Sequence, residues 1–154
     1  AAAAAAASAA AGRAARAAAD YKRMRAAADN MKRKKAANKE AVEKQWANHE
    51  AAWDTLMAAY TAVTYRDIPW PPTTSELLLG ASGGRGAAAA DVRAAYRRCM
   101  LRWHPDKFSA RFAQRLVEGD RARVMQRVAG ISQGVKEQWD RWEDTCRRTV
   151  SGVT

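Results

Sequence analysis

Residues 91–108 read Asp91-Val92-Arg93-Ala94-Ala95-Tyr96-Arg97-Arg98-Cys99-Met100-Leu101-Arg102-Trp103-His104-Pro105-Asp106-Lys107-Phe108, and this stretch decides the fold. Val92, Tyr96, Cys99 and Trp103 recur at intervals of four, three and four residues, which places them on one face of an α-helix. Arg93, Arg97, Arg98 and Arg102 flank that face, and Leu101 points nearly opposite it. The pattern predicts a helix from about Ala87 to Trp103. Pro105 disfavours helical backbone at His104, so His104-Pro105-Asp106-Lys107 is expected to form a loop. Beyond it, Phe108, Phe112 and Leu116 suggest another helix, broken around Gly119. Asp120 is placed to cap a last helix with apolar positions at Val124, Val128, Ile131, Val135, Trp139, Trp142 and Cys146. Gly130 and Gly134, one turn apart, suggest close approach of a neighbouring helix.

Upstream, Asp67-Ile68-Pro69-Trp70-Pro71-Pro72 forms an extended elbow, because each proline restricts itself and the residue before it. Thr73 and Glu76 have capping-box spacing ahead of Leu77-Leu78-Leu79-Gly80, which predicts a helical turn or two. Gly80 to Gly86 reads as a loop. Between Arg13 and Val63 there is no proline or glycine, and alanine, lysine, arginine and glutamate dominate. A single long helix is the natural reading. Its second half carries a seam of Val42, Trp46, His49, Trp53, Leu56, Tyr60 and Val63, spaced four and three in alternation. Such a seam docks onto a partner or back onto its own domain; Val42, Trp46, Trp53, Leu56 and Tyr60 are its candidate docking residues, and His49 reads as a packed residue. Tyr21, Met24, Ala28 and Met31 continue the pattern more weakly.

The first half of that helix is densely basic. Lys22, Arg23 and Arg25, then Lys32, Arg33, Lys34 and Lys35, have the spacing of a bipartite nuclear-import signal. The same cations suit phosphate contact with RNA, although no stacking aromatics interleave with them. Over 154 residues the formal net charge is +11, which favours polyanionic partners. No run of about 20 apolar residues is present, so no membrane span is expected. The alanine tract at residues 1–11 is a poor secretory signal, and a start without methionine reads as a piece of a longer chain. Cys99 and Cys146 lie far apart, which suggests reduced, intracellular thiols.

The segment from Asp91 to Phe108 closely resembles helix II and the signature loop of J-domains, the DnaJ family; Ile131-Ser132-Gln133 resembles the end of helix III there. In that family the loop and the basic helix face dock on a DnaK-type chaperone and favour its ATP-hydrolysing state. The resemblance implies that His104, Pro105 and Asp106 form the trigger, with Arg97, Arg98, Arg102 and Lys107 steering and positioning it. Two departures stand out. The proline elbow leaves room for little of helix I, and Phe108 to Ala129 looks like an insertion. A wider set, Thr64-Tyr65-Arg66-Asp67-Ile68-Pro69-Trp70-Pro71, Leu77-Leu78-Leu79-Gly80, the Arg102 to Phe108 run and Arg111-Phe112, resembles the C-terminal part of NF-kappa-B inhibitor-like proteins. That resemblance covers roughly Tyr60 to Val135, and implies a nuclear location and a link to pre-mRNA processing or to the namesake pathway. The ankyrin repeats of that family have no counterpart in this chain, which shows no 33-residue repeat.

Enzyme readings find no support. No nucleophile is paired with a base near Cys99 or Cys146, and residues 80–86 lack the Lys-Ser/Thr ending of a phosphate-binding loop. Two histidines, His49 and His104, give no metal spacing, and no cofactor motif is present. The expected fold is all-α: an Ala-rich low-complexity segment (1–12), a long basic amphipathic helix (13–66), a Pro/Trp elbow (67–74), a divergent J-like domain with short helix I, helix II, the loop and a long broken helix III (75–148), and a tail (149–154). Three functions are compatible with it. One is a non-catalytic adaptor docked on protein subunits of a nuclear ribonucleoprotein assembly, above all the spliceosome, with RNA backbone against its basic helix. A second is a co-chaperone for a DnaK-type ATPase. The third is a regulator of NF-kappa-B signalling.

Overall fold

A computed structural model describes residues 1–84 and 86–152. Its helices are α1 (Ala2–Ala58), α2 (Leu77–Ala81), α3 (Ala89–Trp103), α4 (Pro105–Phe112) and α5 (Glu118–Ser151). The fold is all-α; the ladder contact among the described residues is a single parallel bridge between Val63 and Leu116. No helix is long and apolar enough to cross a membrane among the described residues. The chain divides into two units, residues 1–41 and 42–154.

In residues 1–41 every side chain is exposed. The alanine tract is helical with the rest, because alanine has the highest helix propensity and nothing competes for its backbone. The helix therefore starts well before the expected Arg13. Tyr21, Met24 and Met31 remain 65–74% exposed, so this part of α1 buries no apolar face of its own.

Within residues 42–154, α1 stops at Ala58, short of the expected Arg66. Tertiary bonds end it. The Val63 amide donates to the Arg115 carbonyl (2.7 Å), and the Val117 amide donates to the Val63 carbonyl (3.0 Å). The Arg115 guanidinium reaches the carbonyl of Leu56 (3.2 Å), left without an amide in the last turn of α1, and that of Thr61 (3.1 Å) just beyond the helix. The β-branched and aromatic residues from Thr61 to Tyr65 have little helical preference to set against these bonds.

The elbow is held from three directions. Thr64 donates to Asp67 through both its amide and its hydroxyl (2.7 Å each). The Tyr65 amide donates to the Asp120 carboxylate (2.8 Å), so Asp120, expected as a helix cap, sits in the first turn of α5 and binds the elbow instead. Trp70 donates to the Tyr65 carbonyl (3.0 Å) and packs between Tyr65, tilted with its centroid 5.0 Å away, and Trp103, stacked at 5.8 Å. Arg127 lies 4.4 Å over the Trp70 ring. A cation on an aromatic face stabilises such a corner by roughly 0.5–2 kcal/mol.

The expected capping box does not form. Gln138 of α5 caps α2 from outside, accepting from the Leu78 amide (2.8 Å) and donating to the Thr74 carbonyl (2.9 Å). The break between α4 and α5 falls at residues 113–117, ahead of Gly119, which lies inside α5. The core joins Val63, Leu77, Trp103, Phe108, Phe112, Val124, Val128 and Val135, all fully buried. The α5 seam behaves as its spacing predicts as far as Trp142, but Cys146 is exposed. Gly130 and Gly134 have nothing within 4 Å of an added Cβ, so no helix approaches them closely.

Candidate docking surfaces

Helix α3 ends and α4 begins at one residue. His104 is extended (φ −62°, ψ 128°), as proline demands of its predecessor; its amide donates the last bond of α3 to Met100 (3.0 Å), and its carbonyl accepts the first bond of α4 from Phe108 (2.9 Å). Pro105 occupies the first helical position, where its missing N–H costs nothing. His104 Nδ1 accepts from the Asp106 amide at 3.3 Å and thus caps α4. The expected loop is therefore a helix-to-helix corner. Beneath it Trp103 and Phe108 stack nearly parallel (9°), both buried. Above it the His104 side chain is 43% exposed and the Asp106 carboxylate 90% exposed. A rigid apolar floor thus holds an imidazole and a carboxylate toward solvent.

The arginines of α3, read from sequence as one patch, divide between two surroundings. Arg102 makes two hydrogen bonds to the Glu50 carboxylate of α1 (2.7 and 2.8 Å) and lies 4.9 Å over Trp53. Arg98 donates to the Ala81 carbonyl at the end of α2 (3.0 Å). Both serve the fold. Arg97 and Lys107 are exposed, with no hydrogen bond or ion pair among the described residues. Arg93 lies 6.0 Å over Trp142. Arg97, Lys107, His104 and Asp106 thus remain available to a partner, with Leu101 exposed on the same helix.

The seam of α1 is taken up within residues 42–154. Trp53 and Leu56 are buried, Trp53 packing edge-on against Trp103 (5.2 Å) and tilted against Phe112 (6.0 Å). Trp46 is half-buried, and a Cβ added at Gly80 would overlap atoms of its ring. Val42 and Tyr60 are exposed, the latter outside the helix. Trp46, Glu50, Gly80, Arg98 and Arg102 line a cleft of about 270 Å³. His49 lies at its side, 94% buried by its 6% exposure. Trp53 Nε1–H donates to His49 Nε2 (3.1 Å), and the Pro69 carbonyl lies 3.0 Å from the same nitrogen. One nitrogen cannot serve both at once. His49 Nδ1 has no hydrogen-bond partner, and the Glu50 carboxylate lies 3.6 Å from it. Burial, reinforced by Arg102, holds the His49 pKa below its ordinary value.

Three contributors escaped the sequence reading. Glu50 lies 52 residues from Arg102, Arg115 59 from Leu56 and Gln138 60 from Leu78, and no local pattern announces pairs so distant. Lys22, Arg23, Arg25, Lys32, Arg33, Lys34 and Lys35, expected from their spacing to serve nuclear import or phosphate contact, are all exposed on α1. Residues 1–41 hold ten Lys and Arg against three Asp and Glu, so seven of the eleven net positive charges lie there.

Residues 78–143 match the family model of the NF-kappa-B inhibitor-like protein 1 C-terminal domain. The match spans the described helices from α2 to most of α5, less than half of the chain. It begins after the elbow, so Thr64 to Pro71, counted in the sequence resemblance, lie outside it. No curated protein and no solved structure matches the chain.

Proposed function

We propose that this chain is a non-catalytic adaptor of a nuclear ribonucleoprotein assembly, above all the splicing machinery, with residues 1–41 as its assembly-binding arm. The observation that carries this reading is the exposed helix of residues 1–41, which holds most of the net positive charge. Acidic proteins and RNA backbone are the partners such a surface attracts. The two exposed basic clusters supply a nuclear address of the expected spacing. The helical module that resembles the NF-kappa-B inhibitor-like C-terminal domain is a separate, packed unit of the same chain. Purification from nuclear extract tests the reading: wild type is expected to recover splicing proteins and small nuclear RNAs. A variant with Lys32, Arg33, Lys34 and Lys35 changed to Gln, returned to the nucleus by an added import signal, is expected to recover much less. Equal recovery would remove the arm from the proposal.

A second reading, a co-chaperone for a DnaK-type ATPase, draws on the exposed His104 and Asp106 and on the uncommitted Arg97 and Lys107. Against it stands Arg102, whose guanidinium is already held by Glu50. Stimulated ATP hydrolysis that disappears in Arg97→Glu would support it. Regulation of NF-kappa-B signalling rests on the name of the matched family alone.

A further inference from the structure

The exposed apolar residues of residues 1–41 have a register that phosphate contact does not require. Tyr21, Met24, Ala28 and Met31 follow intervals of three, four and three, and Lys35 and Asn38 occupy the next two positions of the same register. With Tyr21, Ala28 and Lys35 as a positions and Met24, Met31 and Asn38 as d positions, the seam is that of a short coiled coil. Polar residues at a and d fix register at some cost in stability. The three large members are among the most exposed apolar side chains of the molecule: Tyr21 at 65%, Met24 at 72% and Met31 at 74%.

The flanking positions decide what can cover the seam. All three e positions, Arg25, Lys32 and Lys39, are basic, and the g positions are Asp20, Ala27 and Lys34. An antiparallel second copy would set the e cations against one another. A parallel copy would set Lys39 against Lys34, with only Asp20 facing Arg25 favourably. Like charges across a helix pair are unfavourable, and opposite charges choose the partner. We infer that Tyr21, Met24, Ala28 and Met31 seat an amphipathic helix of another protein, with apolar residues at its a and d positions and Asp or Glu beside them. This rests on the reading of residues 1–41 as the assembly-binding arm and specifies its partner.

The test is a titration of the full chain with a peptide of about four heptads carrying Ile at a, Leu at d and Glu at e and g, whose own like charges disfavour self-pairing. Expected are binding with a gain of helical signal and at least about a tenfold loss in the Met24→Gln/Met31→Gln variant. Arg23→Gln/Arg33→Gln, two cations on the far side of the helix, should lose much less. Arg25→Glu/Lys32→Glu should exchange the preference for a peptide with Lys at e and g. Equal binding of a sequence-scrambled acidic peptide, or an equal loss in the Arg23/Arg33 variant, would reduce the seam to general charge attraction and overturn the inference. Self-association of the chain through Met24 and Met31, or binding of a uridine oligonucleotide with none of the peptide, would overturn it too. Peptide pairing alongside no recovery of ribonucleoprotein components from extract would sink the adaptor reading and leave the helix pairing in place.

Discussion

Gly80 shows how a single residue is claimed by a neighbour far away in sequence. It lies in α2 without a positive φ, so alanine would by itself favour the helix by about 1 kcal/mol. The Trp46 ring occupies the space its Cβ would need. Gly80→Ala is therefore expected to destabilise the protein by about 1–3 kcal/mol, the cost of overpacking. In a Trp46→Ala background the same change should become neutral or stabilising. Urea unfolding of the four proteins in this cycle measures the reversal, and additive effects would contradict the packing. His49 ties stability to pH. Unfolded, it takes up a proton near 6.5; folded, burial and Arg102 resist that proton. As pH falls from 7.5 to about 5.5 the unfolded state binds more protons, so stability must fall. Glu50, with its pKa lowered by Arg102 from an ordinary 4.5, loses its contribution only at lower pH. The urea midpoint should drop over that range in wild type and change less in His49→Gln. Parallel slopes would assign the dependence elsewhere.

At the scale of elements, α1 is shaped by what happens at its end. Arg115 serves the Leu56 carbonyl in the last turn of α1 and the Thr61 carbonyl beyond it, and Val63 is held between residues 115 and 117. Arg115→Ala should cost about 1.5–3 kcal/mol, the worth of hydrogen bonds to a charged donor. Amide exchange should quicken at Val63 and Val117 while the middle of α5 stays protected. A uniform increase along α5 would show that the cap is not local. The same elements show what sequence periodicity reveals. The faces of α3 and of α5 through Trp142 were legible, since each helix buries the stripe its spacing marks. The end of α1, the cap of α2 and the division of the α3 arginines were not, because Arg115, Gln138 and Glu50 act across more than fifty residues. Local preference made His104-Pro105-Asp106 a loop. In the fold it is a corner shared by two helices, since a proline that ends one helix is well placed to begin the next.

For the whole molecule, the two units use their composition differently. Residues 42–154 spend their tryptophans on packing: Trp53 and Trp103 in the core, Trp46 on Gly80, and Trp70, Trp139 and Trp142 on neighbouring rings. Residues 1–41 bury nothing and carry seven net positive charges. An exposed, charged helical unit and a packed helical unit in one chain are the physical content of the adaptor proposal, and under it His104 belongs to the architecture of a corner. The most direct measurement is purification of the tagged full-length protein from nuclear extract, wild type beside His104→Gln, with identification of the proteins and RNAs recovered. Splicing proteins and small nuclear RNAs are expected in equal amounts with both. A DnaK-type chaperone recovered by wild type alone, with splicing components absent or lost in the variant, would contradict the adaptor proposal and make the corner a chaperone trigger.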